Sequence, residues 1–169
     1  MRARSALLIA AVGLAAAPAL ARDFSYDIPQ VLGSKLGKLT ASTALPVLLP
    51  QSLPLDYDGR VYASVAGHAK SWSASFGGAP NCSANACFLA SVTGTKGGKP
   101  SNAKHVTLTG GVTGYFRPLS CGGSCSPPSI QWKRSGVLFE IQARVAKKGK
   151  TDKQILVAAA NSALSHGPR

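Results

Sequence analysis

The sequence predicts an α+β domain: an antiparallel β-sheet of about six to eight strands, a C-terminal helix packed on one face and a short N-terminal helix. Three observations predict it. Between Val61 and Val145 apolar and polar residues alternate at a period of two, as strands buried on one face require. Both flanks change to helical spacing and carry helix start and stop residues. The 169 residues, 45% of them hydrophobic, supply one packed core, and no fixed-period repeat divides them.

Residues 1–21 read as a secretory signal peptide. Arg2 and Arg4 precede an apolar run from Ala6 to Ala16, and Ala19-Leu20-Ala21 is a small-x-small cleavage pattern. The run is too short to span a bilayer and Pro18 interrupts its tail, so no integral membrane segment is expected in the mature chain. Cleavage would leave residues 22–169 as a single exported α+β domain, periplasmic or extracellular. Its net charge would be +11 rather than the +13 of the whole chain.

Ile28, Val31, Leu32, Leu36 and Leu39 recur at helical spacing behind Asp27 and Pro29, a cap and first-turn pair, although Gly33 and Gly37 weaken the helix. Leu45 to Leu49 is apolar, contains Pro46 and is followed by Pro50, and reads as an edge strand or an extended packing segment. Strands follow around Val61 to Val65, Trp72 to Phe76 and Phe88 to Val92. Val106 and Leu108 lead through Gly110-Gly111 to Val112–Phe116 as a candidate hairpin. The clearest hairpin joins Ile130 and Trp132 to Phe139, Ile141, Ala143 and Val145 across Ser135-Gly136. Thr151 to Ser165 closes the chain as a helix, with Thr151 and Gln154 as a capping box, a stripe of Ile155, Ala159 and Ala163, and Gly167-Pro168 as the stop.

Export makes the cysteines legible. Cys82, Cys87, Cys121 and Cys125 are an even set, and the simplest pairing is local, Cys82 with Cys87 and Cys121 with Cys125. Such short loops gain only about 2 kcal/mol each from closure, so they shape loops more than they hold the fold. Neither gap has the two residues of a zinc knuckle or of a redox C-x-x-C pair. Neither metal nor cofactor is expected.

The residues around the cysteines also carry a resemblance. Leu45-Pro46-Val47-Leu48-Leu49-Pro50, Asn81 to Cys87, Gly114-Tyr115-Phe116-Arg117-Pro118, Cys121 to Pro128 with Ile130-Gln131-Trp132, and Ala160-Asn161-Ser162-Ala163 resemble a group of bacterial exported proteins of unknown function. The likeness spans most of residues 22–169. The closing hairpin and helix are similar to the end of small bacterial domains, likewise of unknown function. The resemblance implies an exported domain and brings no functional residue with it.

No catalytic set stands out. His68, His105 and His166 are the available bases; His166 at a helix end is explained by the macrodipole, and no G-x-S-x-G elbow is present. Asp56 and Asp58 form the one close acid pair and read as a solubilising turn. Glu140, an acid among bases, reads as half of a cross-strand pair. Gly149-Lys150-Thr151 lacks the first glycine of a phosphate loop, since Arg144 stands there.

Charge is the strongest functional signal. From Arg22 to Asp58 four acids face three bases, whereas from Gly59 onward two acids face fourteen bases. Lys147, Lys148 and Lys150 crowd a helix N-terminus, where the dipole disfavours cations unless an anion is present. Arg144, Lys153, Lys133 and Arg134 are expected to join them in one anion-binding or partner-binding cluster. Export and the lack of an aromatic-basic strand pattern argue against nucleic acid. The expectation is a non-enzymatic binding module whose basic face takes an anionic envelope glycan or an acidic protein. The alternative is an inhibitor or immunity protein against an exported hydrolase.

Overall fold

A computed structural model describes residues 24–81, 84–146 and 149–169. The expected signal peptide, Cys82, Lys147 and Lys148 lie outside the described residues. The chain opens with β1 (Ser25–Asp27), α1 (Ile28–Leu32), α2 (Ser34–Ala41) and β2 (Ser52–Pro54). The expected N-terminal helix is therefore two. The Asp27 side chain caps α1 by accepting from the Gln30 amide, and Gly33 then takes φ +52°, a left-handed conformation that glycine adopts without strain and that breaks the helical path.

Next come β3 (Tyr62–His68), β4 (Ser71–Gly77), β5 (Phe88–Lys96), β6 (Lys104–Thr107), β7 (Thr113–Arg117), β8 (Ser120–Cys121), β9 (Cys125–Ser126), β10 (Ser129–Arg134), β11 (Val137–Ala143) and α3 (Asp152–His166). Seven strands form the main sheet in the order β3-β4-β5-β11-β10-β7-β6, and every neighbour is antiparallel. This is the α+β architecture expected. The last hairpin pairs Ser129 with Gln142 through to Arg134 with Val137. Its second strand then lies against β5 rather than a sequence neighbour.

One face of the sheet is the core face. Trp72, Phe76, Val92, Ile130, Trp132 and Phe139 point to it and are buried. Phe139 lies between the two indoles, stacked on Trp132 at 5.6 Å and tilted to Trp72 at 6.4 Å. The α3 helix packs over β10 and β11 with Ile155, Leu156, Ala159, Ala160 and Ala163. Its capping box is formed on both sides, Thr151 Oγ1 accepting from the Gln154 amide and Gln154 Oε1 from the Thr151 amide. Val47, Leu48 and Leu49 fill the core as an extended segment without a strand partner.

The two sheet edges differ. Beside β3, α2 lends side chains to the outer backbone: Lys35 Nζ donates to the Ala63 carbonyl and Thr43 Oγ1, just past the helix, to the His68 carbonyl. At the other edge β6 has four residues and, among the described residues, no strand beyond it. Among the described residues no helix is long and apolar enough to cross a membrane.

Candidate functional site

Among the described residues the second face of the sheet carries no helix, and register sets what it displays. Side chains alternate across a strand, so residues paired with open-face residues share that face. Ser64, Ser75 and Ser91 form one cross-strand row, Ser73 and Thr93 stand in the next, and Ser71 and Thr95 in the third. Over β3, β4 and β5 the open face is therefore mostly hydroxyl. Further along, Glu140 sits opposite Gln131 and receives Arg117 Nη2 at 3.4 Å. The partner expected for Glu140 is thus present, reaching across from β7 on the far side of β10. Gln131 is buried because the segment after β5 folds over it, the Ser101 amide and hydroxyl both donating to its Oε1.

The expected basic cluster divides. Lys133 pairs with Leu138, next to the β10–β11 turn, whereas Arg144 follows the far end of β11. Six residues of strand place them about 20 Å apart. Arg134 turns to the helix side, where its Nη1 donates to the Leu164 carbonyl at 3.4 Å and answers the negative end of the α3 dipole. Arg144, Lys150 and Lys153 lie at the opposite, N-terminal end of α3. There Arg144 Nη2 donates to the Asn85 carbonyl at 2.6 Å, and Asp56 and Asp152 share a cavity lining with it. Two carboxylates thus offset the cations at this end.

Lys133 and Arg134 instead join bases that the sequence reading missed. Lys70 occupies the β3–β4 turn, and its carbonyl accepts from the Lys96 amide. Lys96 pairs with Val137, and the Gly97 amide donates to the Gly136 carbonyl in the β10–β11 turn. Lys99 follows in the segment that crosses to Gln131. Lys70, Lys96, Lys99, Lys133 and Arg134 are all exposed and ring one end of the sheet, across about 15 Å at the usual strand spacing. Glu140 is the nearest carboxylate along β11, two residues inward from Leu138, and it is engaged by Arg117. A signal for this rim existed in the sequence: each lysine ends a strand or stands in the turn that follows one, and in an antiparallel sheet alternate turns share an end.

The opposite end of the sheet carries the cysteine-bearing loops. Loop 78–87 joins β4 to β5 and loop 118–128 joins β7 to β10. Cys121 and Cys125 are disulfide-bonded across the β8–β9 hairpin, the local pairing expected, and Cys87 is also disulfide-bonded. Leu119, 51% exposed, stands at the base of that hairpin. Two cavities open here. One of about 300 Å³ lies between Leu119, Pro127, Arg144, Asp56 and Asp152. The other, about 310 Å³, lies at the β3–β4 edge, with Ala79–Asn81 and Ala84–Asn85 in its lining.

The candidate bases and acids stay apart. His68 ends β3, His105 on β6 packs edge-on to Tyr115 of β7, and His166 is the exposed last residue of α3. His166 Nδ1 contacts the Ser162 carbonyl at 2.8 Å, and a carbonyl only accepts, so Nδ1 carries the proton and is no base toward the nearby Ser162 hydroxyl. Among the described residues no three His, Cys, Asp or Glu groups are placed to hold a metal ion. Asp58 lies near Tyr26, whose phenol donates to the Tyr57 and Gly59 carbonyls. Burial first, and the negative charge of Asp58 second, push the Tyr26 pKa above its ordinary value. No protein family, no curated protein and no solved structure matches the chain.

Proposed function

We propose that the protein is a non-enzymatic exported binding module that engages an anionic envelope polymer or an acidic protein surface through the rim of Lys70, Lys96, Lys99, Lys133 and Arg134. The observation that carries this reading is the gathering of five exposed cations from three separate sequence segments at one end of the sheet. Cations held this close repel one another, and a polyanion relieves that repulsion while being drawn in by the shared field. Arg144, Lys150 and Lys153 form a second, weaker site because Asp56 and Asp152 stand among them.

Binding to isolated envelope fractions, measured between about 0.01 and 1 M salt, tests it, because the Debye length shrinks from about 30 to 3 Å over that range. Affinity should fall steeply across the range, and Lys96→Glu with Lys133→Glu should flatten the dependence. Salt-independent binding refutes the reading. A second reading, an inhibitor or immunity protein against an exported hydrolase, draws support from the shared position of the two cysteine-bearing loops. It predicts a hydrolase in pull-downs that Leu119→Asp abolishes, and fails if none is recovered.

A further inference from the structure

We infer that the cavity at the β3–β4 edge is a sugar-ring subsite, and that the hydroxyl rows leading from it to the basic rim form the track of an acidic polysaccharide. The inference rests on the anionic-partner reading and narrows it from polyanions at large to a glycan.

The cavity supplies the chemistry a sugar ring needs. It holds about 310 Å³, and its lining includes Tyr62, Phe88, Ser64, Ser75, Asn85 and Lys35. Phe88 and Tyr62, the latter with the Arg60 guanidinium over one face of its ring at 5.2 Å, offer ring surface for the apolar C–H face of a pyranose. Every sugar hydroxyl both donates and accepts, and serine and asparagine side chains do the same. Lys35 is the single charged side chain among the described lining residues, so no carboxylate there repels an acidic sugar. An acidic peptide seated in the cavity would call for repeated cations there, and Lys35 stands alone in the described lining, while α2 lies against the adjoining β3 edge.

The track follows from register. Ser64 and Ser75 belong to both the cavity and the first hydroxyl row. Rows repeat about 6.8 Å along the strands and hydroxyls about 4.8 Å across them. Four residues of β4 separate Ser75 from Ser71, about 14 Å, and Lys70 is the next residue. A glycan seated at Tyr62 therefore crosses uncharged hydroxyls before the acidic groups further along it meet Lys70 and Lys133, the latter in the same row as Ser71 and Thr95. One end of the site selects for sugar, and the other for charge.

Titration calorimetry with hexagalacturonate and with poly-L-glutamate of matched charge tests the inference. Hexagalacturonate should bind at least about tenfold tighter, and Tyr62→Ala or Ser75→Leu should remove that advantage, since a lost stacking or hydroxyl contact of about 1.4 kcal/mol is tenfold. Amide shifts in the unaltered protein provide a readout that no variant's folding can obscure: hexagalacturonate should move Ser64, Ser75 and Asn85, and polyglutamate only the rim. Equal affinities with no shifts at the cavity overturn the glycan site and leave the basic rim standing. Failure of both polymers to bind at low salt overturns the site and the rim together.

Discussion

The two tryptophans of the core provide a controlled comparison, because each is buried against Phe139 but only one has a hydrogen-bond partner. Trp72 Nε1 donates to the Pro46 carbonyl at 3.1 Å. Trp132 Nε1 is buried and has no partner among the described residues. Replacing either by Phe removes the same ring atoms, so the cavity and transfer costs nearly cancel when the variants are compared. The polar terms do not cancel. Trp72→Phe forfeits a hydrogen bond with a net worth of about 1 kcal/mol, whereas Trp132→Phe deletes an unsatisfied donor that costs about 1–3 kcal/mol in the native state. Trp132→Phe should therefore be about 2–4 kcal/mol the more stable of the two. Urea unfolding followed by far-UV circular dichroism reads this as a higher midpoint at equal slope. In a heat melt the gap should be about 6 °C or more. Equal midpoints, or a less stable Trp132→Phe, would refute the reasoning about the orphaned indole.

Three further outcomes follow from the same contacts. Gly94→Ala places a Cβ 2.4 Å from Trp72 Nε1 and 2.7 Å from its Cε2, so the indole must leave the Pro46 carbonyl; a loss of about 1–3 kcal/mol in urea unfolding checks this. Thr151→Ala removes one half of the α3 capping box and should cost about 1 kcal/mol by the same measurement, with Thr151→Ser recovering most of it. The raised Tyr26 pKa means that the unfolded chain releases this proton before the folded one does. The contribution is therefore fully present below pH 10.0 and is lost as pH rises through the higher folded value. Melting temperature should drop above pH 10 more steeply in the unaltered protein than in Tyr26→Phe.

Local signals were legible and long-range ones were not. Thr151 and Gln154 announce α3, and Ser135-Gly136 between two alternating runs announces the β10–β11 hairpin, because those interactions close within a few residues. Gly33 was visible as a weakness, but its splitting of the first helix depends on a backbone angle that the letter alone does not fix. The expected basic cluster divides for a topological reason. Proximity in sequence grouped Lys133 with Arg144 and Lys150, yet β11 carries the chain about 20 Å between the level of Lys133 and Arg144. The pairing of β5 with β11 joins Lys96 to Val137 and brings Lys70 and Lys99 to the same end, which no local pattern encodes. The serines of β4 were recognised as one face of a strand, and only the register with β3 and β5 turns them into rows.

The unequal edges of the sheet govern how copies of this chain can meet. A strand edge with free amides and carbonyls invites another strand, and growth into a fibre requires two such edges on every molecule. Here the β3 side is occupied by its own Lys35 and Thr43, which leaves the four residues of β6. Two chains that joined along β6 would use up the open edge of the seven-stranded sheet on both, and the joined sheet would close as a pair.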